Sequence, residues 1–409
     1  MKEGFDIYQH KRQIEASLKK LEKSDLSRTN KDSILGFYRY CTMQGMSRAR
    51  LIRYLLVLVQ FSRLMEKDFI NAEKSDIEIL VAKIQEQDVA PWTKHTSKVM
   101  LKRFYKWLKG HDEEYPPEVK WIKPTIKKSE EKSISDGELI TEEEIKKALE
   151  ASKNPRDRAL ISMLYESGCR IGELATLQIG NVTIDEHGAV ISVMGKTGSR
   201  KVRLISSVPY LREWLRAHPR GEDKNEPLWV GIGTRNSKSM LRYDTIRLSL
   251  VKLFKKAGIN KRCNPHFFRH SRATYLANHL TEFQMNQYLG WVQGSNMPSI
   301  YVHMSGKETD KAILALNGIN MSTNSKESIL KPKTCPRCET INGVDSKFCS
   351  KCSGILDLHT AILLEQNKKV EQKTRNSSDL LMNMLMQDPE IRDIMMKKLI
   401  ELKVNNPEI

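Results

Sequence analysis

Residues 266–274 read His266-Phe267-Phe268-Arg269-His270-Ser271-Arg272-Ala273-Thr274, which sets an imidazole and a guanidinium three positions apart. On a helix that spacing turns both toward one face, where they can flank a single phosphate. Alone, such a pair is more often an ordinary core or surface contact. Working outward, Gly168-Cys169-Arg170-Ile171-Gly172-Glu173-Leu174 adds a second arginine, and Gly195-Lys196-Thr197-Gly198 puts a lysine at a hairpin tip. Arg170 with Glu173 also fits a structural ion pair. Lys196 also fits an ordinary turn lysine, because the segment is too short for a phosphate-binding P-loop. Downstream stands Met297-Pro298-Ser299-Ile300-Tyr301-Val302-His303, on a stretch read as poor in helix. A phenol with a pKa near ~10 attacks poorly at neutral pH unless neighbours take its proton. Guanidinium forks match the non-bridging oxygens of a phosphate and stay charged as charge builds there. Together the four segments read as a site that opens and reseals phosphodiesters through Tyr301.

The composition is consistent with that substrate. Lysine and arginine total 68 against 50 acidic residues, a net charge of +18 that suits a polyanion. With 409 residues the chain has room for about two to three domains. Its N-terminal stretch is polar, and the longest apolar run, Leu55 to Val59, is too short for a bilayer. A cytoplasmic, soluble protein with no membrane partner is expected.

The expected fold is multidomain. Residues 1–122 form an all-α module with basic faces; one of its helices, Thr93 to Lys109, carries Val99, Met100, Phe104, Trp107 and Leu108 on one side. Residues 123–138, with Pro124 and the charged run Lys127 to Ser133, make a linker. Residues 139–322 form a mainly helical α+β unit, opened by the capping box at Thr141 and Glu144. Its small sheet comes from strands at 189–194 and 201–205.

In this order the boxes resemble the tyrosine recombinases, the integrase family of phage integrases and Xer-type enzymes. The resemblance rests on Leu139 to Glu144, Ser167 to Leu174, Lys196, His266 to Thr274, Leu289-Gly290-Trp291 and Tyr301-Val302-His303. It implies an all-α core-binding domain followed by a catalytic domain. It also implies that Arg170 and Arg269 clamp the scissile phosphate while Tyr301 forms a 3′-phosphotyrosyl link and frees a 5′-hydroxyl. Lys196 would protonate the leaving oxygen, His266 would assist proton transfer, Trp291 would hold the phosphate through its indole N–H, and Glu173 would position Arg170 or His266. His270 has the next claim after these, as a packing or orienting residue. No cofactor is implied for the chemistry. The implied partner is double-stranded DNA bearing a specific recombination site, bound by a homotetramer on two sites. Two departures stand out: Trp291 replaces the usual histidine, and the segment from Val292 to Pro298 is one residue longer than the common spacing, which resembles archaeal integrases.

Two segments lie beyond what this chemistry needs. Cys335-Pro336-Arg337-Cys338 and Cys349-Ser350-Lys351-Cys352 are paired knuckles, and four thiolates at that spacing suit a structural Zn2+ in a ribbon over 331–357. Residues 358–409 form an amphipathic, methionine-rich helical tail without a sustained apolar heptad, with Asp388-Pro389-Glu390 starting a second helix. The competing functions are a type IB-like topoisomerase, a catalytically silent DNA-binding protein, and a zinc-ribbon transcription regulator.

Overall fold

A computed structural model describes residues 5–111, 113–127, 136–195, 197–233, 239–305, 317 and 328–405. Lys196, the linker residues 128–135, and residues 306–316 and 318–322 of the expected catalytic unit lie outside the described residues. Among the described residues, buried apolar side chains gather in a helical N-terminal core, a larger central core, and a small cluster around Tyr301.

The first core joins α1 (His10–Glu22), α2 (Arg28–Met43), α3 (Arg48–Leu64), α4 (Lys74–Glu86), α5 (Pro91–Leu108) and the short α6 (Pro117–Lys120). Local signals start these helices: Ser27 Oγ accepts from Asn30 N at α2, and Pro91 occupies the first turn of α5. Phe37 meets the edges of Tyr54 and Phe104 at 5.0 and 5.3 Å, and such pairs each add about 0.5–1.5 kcal/mol beyond burial. Along α5 the inward stripe is Met100, Leu101, Phe104 and Tyr105, whereas Val99 is exposed. Trp107 and Leu108 also pack against this core, so of the expected stripe only Val99 falls outside it, its place being taken by Leu101 and Tyr105.

The central core is organised around α8 (Pro155–Ser167), packed by α7 (Glu142–Ala151), α10 (Val208–Ala217) and α12 (Pro265–Ala277). The Thr141–Glu144 capping box forms in both directions. Gly168 ends α8 at φ 57°, a left-handed conformation that favours glycine, and the chain then turns into α9 (Ile171–Ala175). Beside them lies an antiparallel sheet in the order β1 (Val182–Asp185), β2 (Gly188–Gly195), β3 (Gly198–Leu204). The β2–β3 hairpin matches expectation. The short strand β1 was not anticipated, because Thr183 and Ile184 are both exposed and leave no alternating signature. Glu166 fastens the sheet to α8: its carboxylate accepts from the amides of Ile205, Ser206 and Ser207 and from Ser207 Oγ, at 2.6–2.9 Å. Helices α11 (Tyr243–Lys256), α13 (Glu282–Leu289) and α14 (Met297–Ser305) complete this body.

Segments from early and late in the chain return to it. Ile7 is buried in the central core, and its carbonyl accepts from Tyr243 N. On the C-terminal side, Leu330 and Val344 join the same core, flanking the ribbon strands β4 (Lys333–Thr334) and β5 (Ile341–Asn342). Asp345 is clasped by Arg158 Nη2 at 2.8 and 2.9 Å and by Tyr210 Oη at 2.7 Å. Beyond the ribbon come α15 (Leu358–Gln387) and α16 (Pro389–Asn405), the latter started by Asp388 Oδ1 accepting from Glu390 N. No helix among the described residues is long and apolar enough to cross a membrane.

Candidate active site

The C-terminal end of α8 and the first turns of α9 and α12 converge on the turn that follows α13. Arg170 caps α9. Its Nη1 donates to Glu173 Oε1 at 2.9 Å and to Gly290 O at 3.3 Å, while its backbone N–H donates to Glu173 Oε2. Arg269, on α12, donates from Nη1 to Gly168 O at 2.9 Å and from Nη2 to Leu289 O at 2.7 Å. Each Nη keeps a second N–H, and Nε keeps its own, for a ligand. Burial and the neighbouring Arg170 charge pull Arg269 down to about 10, so it is still cationic at neutral pH.

Tyr301 lies on α14, a helix and not the helix-poor segment expected. Pro298 suits a first helical turn, and Ser299 Oγ bonds back to Asn296 O. The phenol is buried, stacked on Trp291 with centroids 5.5 Å apart and planes 10° apart. Arg269 Cζ in turn sits 5.3 Å from the Trp291 ring centroid. Tyr301 Oη is 2.6 Å from His270 Nδ1. Burial raises the phenol pKa, and the Arg269 charge offsets that only in part, so Tyr301 is protonated at rest. Burial, then the nearby His266 and Arg269, hold His270 below the ordinary imidazole value, which makes it neutral and able to accept a proton.

Arg170, Glu173, Arg269, Trp291 and Tyr301 are thus brought together, and His270 joins them as the direct partner of the phenol. His266 occupies the first turn of α12, open to solvent on one side. Packing around its ring and then the charges of Arg269 and Arg170 depress its pKa.

Sequence reasoning missed Arg200, whose Nη2 donates to Glu173 Oε2 at 2.7 Å and whose Nε donates to Tyr288 O at 2.9 Å. Burial pushes the Glu173 carboxyl up, but the bonds and charges of Arg200 and Arg170 outweigh it and hold it below the usual range. A signal for Arg200 existed: it shares the inward face of β3 with the buried Val202 and Leu204. A charge at such a position calls for a buried partner.

The fold has counterparts among solved structures. The chain superimposes on the XerH site-specific recombinase bound to palindromic difH substrate with a TM-score of 0.56 and 18% identity, covering 76% of this chain and 91% of that one. A lambda integrase dimer bound to a COC′ core site gives 0.52 and 16%, covering 72% and 86%. In sequence, residues 138–308 match the phage integrase family. The tyrosine recombinase XerA of Pyrococcus horikoshii is 26% identical over 284 residues, 69% of this chain and 93% of the relative. The chain belongs to the tyrosine recombinases. Within that family, the XerC recombinase of Pelotomaculum thermopropionicum is 31% identical over 188 residues, 42% of this chain and 59% of its own length.

Away from this centre, the recombinase carries a second cluster. The sulfurs of Cys335, Cys338, Cys349 and Cys352 all lie within 4.8 Å of one another. Cys335–Cys352 and Cys338–Cys349 approach to 3.6 and 3.5 Å. Tetrahedral thiolates at about 2.3 Å from a metal would stand about 3.8 Å apart, so the set fits a metal ion. The amides of Cys352 and Lys351 point at Cys349 and hold its thiol down to about 6, which favours the thiolate a metal requires.

Proposed function

We propose that this chain is a site-specific DNA recombinase that cleaves and rejoins strands through a 3′-phosphotyrosyl intermediate. The observation that carries this reading is the 2.6 Å bond from Tyr301 Oη to His270 Nδ1, made beside Arg269 and Trp291. In cleavage, Tyr301 Oη attacks the scissile phosphorus and its proton passes to His270. The remaining N–H groups of Arg170 and Arg269 hold the non-bridging oxygens, and the 5′-oxygen leaves with a proton from Lys196. Glu173, fixed by Arg200, sets the pose of Arg170. His266 and the Trp291 indole N–H add donors around the phosphate. The new phosphotyrosyl ester keeps the energy of the broken bond, so rejoining needs no cofactor.

Residues 1–122 and 139–322, joined by 123–138, would close around double-stranded DNA from two sides, helped by the net charge of +18. The assembly would be a homotetramer on two copies of a specific site, acting in the cytoplasm. The four cysteines would hold one structural Zn2+ in the ribbon at 331–357, because a closed set of four thiolates leaves no open position for catalysis. A type IB-like topoisomerase shares the nucleophile and cations, and a silent DNA-binding protein shares the fold. Both are separated from the recombinase by one experiment. A nicked suicide duplex, carrying the site selected from a randomised library, should trap a covalent adduct in wild type but not in Tyr301→Phe. Mixing two intact duplexes of that site should then exchange strands. A trapped adduct without exchange would favour the topoisomerase, and specific binding without an adduct would favour the silent protein.

A further inference from the structure

Helix α15 has 30 residues, yet Thr360, next to its cap at Asp357, is the only one fully buried. Leu363, Val370, Leu381 and Met384 are 45–66% exposed, a cost that a lone solvated helix does not normally carry. Apolar side chains do not repeat every seven residues along α15, but uncharged ones do. With Asn367, Thr374 and Leu381 at position a, and Leu363, Val370, Ser377 and Met384 at position d, the seam runs for 22 residues without a charge. Glu365, Lys368, Lys369, Glu371, Lys373, Arg375 and Asp379 all fall outside it.

We propose that this seam pairs with the α15 of a second copy as a parallel, in-register two-stranded coil. The polar seam positions choose the occupant. A purely apolar partner helix would bury Asn367 without a hydrogen bond, a cost of about 1–3 kcal/mol. A second copy in register sets Asn367 against Asn367, Thr374 against Thr374 and Ser377 against Ser377, so each finds a partner. An antiparallel pair has no a-to-a contacts, so Asn367 would face Ser377 or Met384 according to register and never its own copy. The flanks agree: in register, Gln366 meets Glu371, Lys373 meets Ser378 and Leu380 meets Leu385, with no like charges opposed.

A seam of 22 residues is about 33 Å long. One-third of the circumference of a ~10–12 Å helix makes it about 11 Å wide, so a pair buries on the order of 700–800 Å². That lies in the range of weak, transient encounters. The pair is therefore loose between free molecules and tightens when two copies are held side by side. It gives the segment beyond the ribbon a function independent of the chemistry at Tyr301.

The test uses the full-length chain without DNA. Asn367→Cys and Gln372→Cys, the latter on the outer face, are oxidised mildly and resolved on a non-reducing gel, with wild type setting the background from the native thiols. Asn367→Cys should give a covalent dimer at least about tenfold above background, and Gln372→Cys should not. Adding Val370→Asp and Leu381→Asp to Asn367→Cys should reduce the dimer about tenfold or more. Equal crosslinking at both cysteines, none at either, or dimer unaffected by the two aspartates would each overturn the proposal.

Discussion

Two buried carboxylates, Glu173 and Asp345, use the same chemistry for different ends. Glu173 gathers Arg170 at 2.9 Å and Arg200 at 2.7 Å, and Asp345 gathers Arg158 at 2.8 Å and the Tyr210 hydroxyl at 2.7 Å. Both acids are shielded, with side chains 4% and 7% exposed. The difference lies in what their arginines have left to offer. Arg170 is still one-third exposed and turned to the cleft beside Arg269, so its carboxylate poses a cation for a ligand. Arg158 is committed to docking the ribbon, where Gly343 lies so close to Tyr210 that a Cβ would stand 2.7 Å from its ring. One clasp prepares chemistry, and the other fixes an appendage to α8.

The sharpest way to break this contrast is at the phenol's partner. Replacing His270 with Gln should slow cleavage by about 10²–10⁴-fold, the usual share of a general base, while DNA affinity holds. In wild type the cleavage rate should fall as pH drops through the depressed His270 value and be flat above it, because the neutral ring is the acceptor. That acid limb should vanish in His270→Gln. A limb that persisted would assign the proton to His266.

Glu173→Ala should come next. It strips two guanidinium groups of their anion, so cleavage should fall about 10²-fold and stability by about 3–5 kcal/mol, read by single-turnover kinetics and denaturant melts. The depressed Glu173 pKa also carries a sign. Its contribution to stability is present above the unfolded carboxyl value near ~4.3 and is lost as pH falls through the lower folded value. Glu173→Gln should flatten that acid loss.

Asp345→Asn should cost stability of similar order but change the cleavage rate constant by less than about tenfold, since Arg158 serves no ligand. Limited proteolysis should then cut ahead of residue 331 faster than in wild type, releasing the ribbon together with the helices that follow it. A cleavage defect as large as that of Glu173→Ala would erase the distinction between the clasps. The smallest effect should come from Trp291→Phe, which keeps an aromatic face for Tyr301 and loses only the indole N–H. A loss of about 10-fold or less in cleavage is expected, in line with one neutral hydrogen bond.

The contrast also explains what was legible in the sequence. Arg170 and Glu173 announce themselves because they bond across one helical turn, and His266 and Arg269 because three-residue spacing sets them on one face of α12. The cysteine knuckles do so because their paired spacing is one that four metal-binding thiolates share. Asp345 gave no such signal, since its partners stand 187 and 135 residues away. Arg200 and Glu173 are 27 residues apart and meet only once the hairpin folds back beside α9. His270 was ranked below His266 because both lie on α12 and the sequence cannot say which ring faces α14. The burial of Ile7 in the central core likewise depends on chain return, which leaves no local pattern.

The central claim is that Tyr301 is the nucleophile. Incubating wild type and Tyr301→Phe with a nicked duplex bearing the selected site, then mapping any crosslinked peptide by mass spectrometry, tests it directly. Wild type should carry a 3′-phosphate ester on Tyr301, and the variant should form no adduct. An adduct on another residue, or one that survives Tyr301→Phe, would contradict it.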